Sequence, residues 1–166
     1  LKAELQQERL MTILSRAWLV VALLWPVALL NYLDRQMLST VRISVRQDIP
    51  SIANDEQFGY LMATFMWVYA AFSPVGGFLG DRFSRRWTII FSLIVWSATT
   101  WATGYADSYD QMLLLRGIMG VSEAFYIPTA LALIADFHPG PTRTRAIGVH
   151  QTGIYVGIAL GSLGGY

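Results

Sequence analysis

Four stretches of this chain run without a charged side chain: Ala17 to Leu33, Gln57 to Gly80, Trp87 to Ala106 and Ala146 to Tyr166. A helix crossing about 30 Å of hydrocarbon needs about 20 mostly apolar residues. In that medium only helices and closed barrels satisfy every backbone polar group. The runs predict an all-α membrane protein. A fifth span is expected from about Gln111 to Ala135, where Arg116 and Glu123 interrupt an apolar sequence. Composition agrees, since 14% of the residues are charged and 54% hydrophobic, against about 25% charged in an ordinary soluble domain. Extended to the polar connectors, the spans cover 17–45, 57–80, 87–106, 110–136 and 146–166, and residues 1–16 form a cytoplasmic N-terminal segment. The opening "LKAELQQERL", with Leu1, Leu5 and Leu10 on a polar background, reads as a short surface helix or a tag.

Basic residues set the orientation. With the N-terminus inside, eight of the twelve Lys and Arg fall on the inner side, Arg42 and Arg46 on the outer side, and Arg35 and Arg116 within spans. That excess predicts a cytoplasmic N-terminus, and the expected location is a bacterial inner (plasma) membrane. The chain has no cysteine, which excludes disulfides, thiolate metal sites and cysteine nucleophiles.

The segment "NYLDRQMLSTV" places Asp34 and Arg35 side by side after seventeen uncharged residues. A charge at the centre of a spanning helix costs roughly 2.5–3.5 kcal/mol, so intramembrane charges face a protein interior or a wet path. At about 1.5 Å per residue, Asp34 lies roughly 12 Å from Arg42 and Arg116 roughly 9 Å from Asp110, which is a similar depth. Glu123 falls mid-helix, and Arg116, Gly120 and Glu123 at i, i+4 and i+7 share one helical face. Gly120 leaves room for a neighbouring backbone or a ligand, and Pro128 frees backbone carbonyls below it. An Asp34–Arg116 ion pair and a snorkelling Arg35 would account for three of these charges structurally. Glu123 would still lack an obvious partner. Desolvation disfavours the charged form of a carboxylate at that depth, which suits it to carry a proton, while Arg116 suits an anionic group.

Two glycine patterns stand out. Gly153, Gly157 and Gly161 recur every four residues, a spacing that lets helices approach closely where apolar burial gives no drive to associate. The turn "GGFLGDRFSRR" sets Asp81 beside Arg82, Arg85 and Arg86. Topology explains the arginines but not the acid. Asp81 is expected to cap a helix or to pair with Arg143 or Arg145 of "RTRAIG", as a latch that breaks when the cytoplasmic side opens.

The same turn, from Gly77 to Arg86, resembles the G-x-L-x-D-R-x-G-R-R signature of the major facilitator superfamily, with Ser84 where a glycine is usual. "LLLRGIMGVSEA" is similar to the family's fourth-span pattern, and Ser162 stands after Gly161 where the antiporter branch has proline. "NYLDRQMLS" resembles the first span of two branches, the anion:cation symporters and the Spinster-like lipid transporters, and "EAFYIPTALALIADFHPG" leans to the second. The resemblance implies five helices of a six-helix N-terminal half. It also implies proton coupling through Asp34 and Glu123, with substrate contacts from Arg116, Arg35, Tyr32 and Asn31. The expected activity is proton-coupled transport, by alternating access, of a small organic anion such as a sugar acid, or alternatively of a lysolipid or sphingolipid. The expected partners are the small-molecule substrate, the lipid bilayer and a C-terminal half of the same protein, with the proton as coupling ion and no other cofactor.

Other classes find less support. His138 and His150 are the only histidines and match no hydrolytic motif, so an enzyme is not expected. A non-transporting scaffold would use Asp34, Arg116 and Glu123 as interhelical glue. Nucleic-acid binding has no basis, because the arginines are few per loop and explained by topology.

Overall fold

The computed structural model describes the backbone of residues 2–163 and the side chains of residues 16–163. The expectations for Leu1, Leu5 and Leu10 and for the last residues of the final span lie outside the described side chains. Six helices follow one another: α1 (Lys2–Thr40), α2 (Arg42–Asp48), α3 (Asp55–Arg82), α4 (Arg85–Thr103), α5 (Tyr109–Phe137) and α6 (Arg143–Leu163). Four of them are long and apolar enough to cross a membrane: α1 from Arg16, α3, α5 and α6. The sequence predicted five such spans. The remaining one, α4, has only 19 residues, and these include Arg85, Arg86, four threonines and two serines.

The first span was expected over 17–45, but α1 stops at Thr40 and a separate seven-residue helix follows. The last turn of α1 carries two local hydroxyl bonds: Ser39 Oγ donates to the Gln36 carbonyl at 2.7 Å and Thr40 Oγ1 to the Met37 carbonyl at 2.8 Å. Bonds of the same i→i−3 kind at Ser122 and Thr152 leave α5 and α6 unbroken.

Two helices start on the same device. Asn54 caps α3 by accepting from the Gln57 amide at 2.8 Å, and the Gln57 side chain accepts from the Ala53 amide at 2.7 Å. At α5, Ser108 Oγ accepts from the Gln111 amide at 3.4 Å, and Gln111 Oε1 accepts from the Asp107 amide at 3.1 Å. Each is a capping box with its return bond shifted back by one residue.

The chain divides into two compact units, Leu1–Thr40 with Leu133–Tyr166, and Val41–Ala132. In the first, α1 and α6 pack in parallel along glycines. A Cβ on Gly153 would stand 2.8 Å from the Trp25 carbonyl, one on Gly157 would strike the Leu29 carbonyl, and one on Gly161 would lie 2.8 Å from the Leu33 carbonyl. Hydrogen bonds pin both ends of this seam: Trp25 Nε1 donates to Thr152 Oγ1 at 3.0 Å, and Gln36 Nε2 to Ser162 Oγ at 3.2 Å. Ser162 therefore does work that a proline at that position could not.

In the second unit α3 and α5 are joined the same way. A Cβ on Gly120 would lie 2.8 Å from the Phe65 carbonyl, one on Gly80 would lie 2.6 Å from Thr129 Oγ1, and Gly76 abuts the Ala124 carbonyl. Pro128 has no amide hydrogen to offer that carbonyl four residues earlier. The loss of a helical bond and the close approach of α3 thus occur at one place. Helix α4 is tied to α5 by Ser92 Oγ, which donates to the Ser122 carbonyl at 2.5 Å, and by Arg85 Nη1, which donates to the Ala132 carbonyl at 3.0 Å.

Candidate functional site

Helix α5 carries the most deeply buried charges. Arg116 is 3% exposed and Glu123 is 1% exposed. They share a face two turns apart, roughly 10 Å of helical rise. The guanidinium carbon of Arg116 stands 5.0 Å from the centre of the Phe65 ring on α3, and Nη1 points to the Met119 sulfur at 3.4 Å. Phe65 is stacked in turn on Tyr69, with ring centres 6.1 Å apart. A cation held over a ring gains about 0.5–2 kcal/mol depending on its hydration. Gly120, between the two charges, is filled from outside by the α3 backbone at Phe65 and Tyr69. Of the two occupants that its missing side chain would admit, the structure has the backbone. Tyr126 completes the buried surface of this helix, at 1% exposed.

Near the end of α1, Asn31 is buried and Tyr32, Asp34 and Arg35 are half-buried. Asn31 continues the buried stripe of Ala17, Val21, Leu24 and Ala28, spaced by three and four residues. The guanidinium carbon of Arg35 lies 4.6 Å from the centre of the Tyr32 ring. Both arginines inside apolar helices are therefore held against an aromatic ring, one from its own helix and one from a neighbour. The rest of the guanidinium edge, with its fixed fork of N–H donors, matches a carboxylate or phosphate.

In the α3–α4 turn, Asp81 pairs with Arg85 of its own connection at 3.4 Å. Arg82 and Arg86 are exposed, as are Arg143 and Arg145 at the start of α6. Gly77 meets nothing within 4 Å, whereas its neighbours Gly76 and Gly80 make the close contacts with α5. These two glycines, four residues apart, carry the same spacing as Gly153, Gly157 and Gly161, and that spacing was their signal. Phe65 gave no signal of its own, being one aromatic among several in α3. His150 was also passed over as a border residue. It is fully buried on α6, and neither ring nitrogen has a hydrogen-bond partner among the described residues. His138 packs edge-on against Trp18, with ring centres 4.8 Å apart, and its Nδ1 lies 3.2 Å from Thr142 Oγ1.

Apolar helices with buried arginine, carboxylate and asparagine side chains define a polytopic membrane protein whose polar groups serve its interior. The family model described as Major Facilitator Superfamily matches residues 24–166, and the chain belongs to that family. Among similar proteins, "Protein spinster" of Drosophila melanogaster is 32% identical over 157 residues, covering 95% of this chain and 26% of the relative. The "Sphingosine-1-phosphate transporter SPNS2" of Mus musculus is 33% identical over 138 residues, covering 82% of this chain and 25% of the relative. A crystal structure of a bacterial homolog to the human lysosomal transporter Spinster, in an inward-facing and occupied conformation, matches with a TM-score of 0.82 and 30% identity. That match covers 90% of this chain and 32% of the other. The chain thus spans about a quarter to a third of the length of the proteins it resembles.

Proposed function

We propose that these residues belong to a Spinster-like secondary transporter that moves a lysolipid or phosphorylated sphingoid base across the membrane by alternating access, coupled to protons. The observation that carries this reading is Arg116, buried at 3% exposure, braced on Phe65 and set on the same face of α5 as the buried Glu123. The planar fork of a guanidinium suits an anionic group on the substrate. One relative named for sphingosine-1-phosphate supports a phosphate ester over a sugar acid as that group. Arg116 is the phosphate ligand in this scheme, with Arg35, Tyr32 and Asn31 as further substrate contacts. Glu123 and Asp34 carry the proton in this scheme, as the carboxylates that interrupt the apolar helices α5 and α1. Protonation of Glu123 withdraws its charge from the face it shares with Arg116 and leaves the guanidinium for substrate. Gly77 and Asp81 in the last turns of α3, with Arg82, Arg85, Arg86, Arg143 and Arg145 around the connections, latch the side that holds the N-terminus, which is cytoplasmic in this reading.

The test is uptake by the full-length protein in proteoliposomes under an imposed pH gradient, comparing sphingosine-1-phosphate, a lysophospholipid and gluconate. Gradient-driven uptake of the lipids but not of gluconate is expected. Glu123→Gln and Asp34→Asn should abolish the response to the gradient. Undiminished pH-dependent flux in Glu123→Gln would remove that residue from proton coupling, and gluconate uptake would restore the sugar-acid reading. No flux of any compound in a well-folded protein would favour a scaffold.

A further inference from the structure

A groove of about 460 Å³ opens along α4, lined by Phe83 from the end of α3, Phe91 and Val95 from α4, and Ile118 and Phe125 from α5. Three hydroxyls lie in its wall, and each gives its hydrogen to a backbone carbonyl. Thr88 donates to Ser84 at 3.3 Å, Ser92 to Ser122 at 2.5 Å and Ser122 to Met119 at 2.9 Å. With those hydrogens engaged, the lining presents hydrocarbon. The outward stripe of α4 that borders it, Trp87, Phe91, Ile94 and Trp101, is between 61% and 70% exposed. A stripe of that composition belongs against acyl chains.

One end of the groove is cationic. Trp87 lines it, and the guanidinium carbon of Arg86 stands 5.9 Å from the Trp87 ring. Arg82 and Arg86 are exposed. Arg85, between them in sequence, is turned inward to the Ala132 carbonyl and Asp81. An apolar groove that ends beside the outward guanidinium of Arg86, with the exposed Arg82 adjoining the lining residue Phe83 in sequence, has the polarity of one molecule type, an acyl chain with a negative head.

We propose that this groove binds an anionic glycerophospholipid from the leaflet that holds the α3–α4 connection. One acyl chain lies along α4 between Phe91 and Phe125, and the phosphate sits at Arg82 and Arg86. This lipid is held rather than carried, so the proposal stands whichever substrate the protein transports.

Native mass spectrometry of the full-length protein, released from nanodiscs of phosphatidylglycerol and phosphatidylcholine, counts the retained lipids. Each arginine near the surface raises affinity for an anionic lipid roughly fivefold, so phosphatidylglycerol should be preferred by about 25-fold through the pair. The double variant Arg82→Gln and Arg86→Gln should lose that preference. Val95→Trp, which fills the groove, should lower retention of both lipids alike. Equal retention of the two lipids by the unaltered protein overturns the headgroup assignment, and full phosphatidylglycerol retention in Val95→Trp overturns the groove. In the full-length protein with any other cysteine replaced by serine, a nitroxide on Val95→Cys reports the occupant directly. Oxygen accessibility typical of lipid is expected. A label shielded from oxygen would mean that protein covers the groove, and the proposal would fail.

Discussion

The carbonyl oxygen of Ala124 occupies the space where a Cβ on Gly76 would stand, and Pro128 is the residue that leaves that carbonyl without its helical donor. A contact of Gly Cα with such a carbonyl is worth about half a conventional hydrogen bond, but the steric consequence is larger. Gly76→Ala must push α3 away from α5 and is expected to destabilise by about 1–3 kcal/mol. Gly77→Ala, with nothing within 4 Å, should instead gain about 0.5–1 kcal/mol from reduced backbone entropy. Thermal unfolding of the two variants in detergent separates them. Equal shifts would show that the close approach at Gly76 has no energetic weight.

The bracing of Arg116 by Phe65 is open to a similar comparison. Phe65→Leu keeps an apolar side chain but removes the ring under the guanidinium, which is expected to cost about 0.5–2 kcal/mol, read as a rise of about 2- to 30-fold in KM for an anionic substrate. Arg116→Lys keeps the charge and loses the planar fork. It should be worse than Phe65→Leu in the same uptake assay, and the reverse order would place the ring rather than the fork at the centre of recognition.

Much of this arrangement could be read from one dimension, and the limits have physical causes. Span positions follow from the length of charge-free runs, a property that needs no partner. The Gly153, Gly157 and Gly161 stripe was likewise visible, but its mate was not, because parallel packing on Trp25, Leu29 and Leu33 joins residues more than 120 positions apart. In "GGFLG" the choice among Gly76, Gly77 and Gly80 depends on which side of α3 meets α5. The break after Thr40 was hidden because serine and threonine are tolerated in membrane helices and no glycine or proline marks the stop. The pairing of Asp81 with Arg85 at i, i+4 was available from spacing alone, although a partner in the next loop looked equally open.

The two capping boxes predict losses of the same kind. Asn54→Ala and Ser108→Ala each remove the oxygen that accepts from the third residue of the helix, and each is expected to cost about 1 kcal/mol. Hydrogen exchange should locate the loosening in the first turns of α3 and α5. Because the Ser108 bond is the longer of the two, at 3.4 Å against 2.8 Å, its variant should show the smaller effect.

The seam of α1 and α6 carries its own polar signature. A double-mutant cycle with Trp25→Phe and Thr152→Val should return a coupling of about 0.6 kcal/mol, the average for interhelical hydrogen bonds in membranes. A value near zero would show that this bond adds nothing to the affinity between these helices.

That seam also fixes an order of events at the ribosome. Trp25 and Thr152 are separated by 127 residues, and at 5–20 residues per second the second arrives roughly 6–25 s after the first. Throughout that interval the indole of Trp25 and the amide of Gln36 wait in the bilayer for hydroxyls that have not been synthesised. Helix α1 is thus held in a provisional state until α6 is made, and insertion factors or lipids that shelter its polar edge act within that interval.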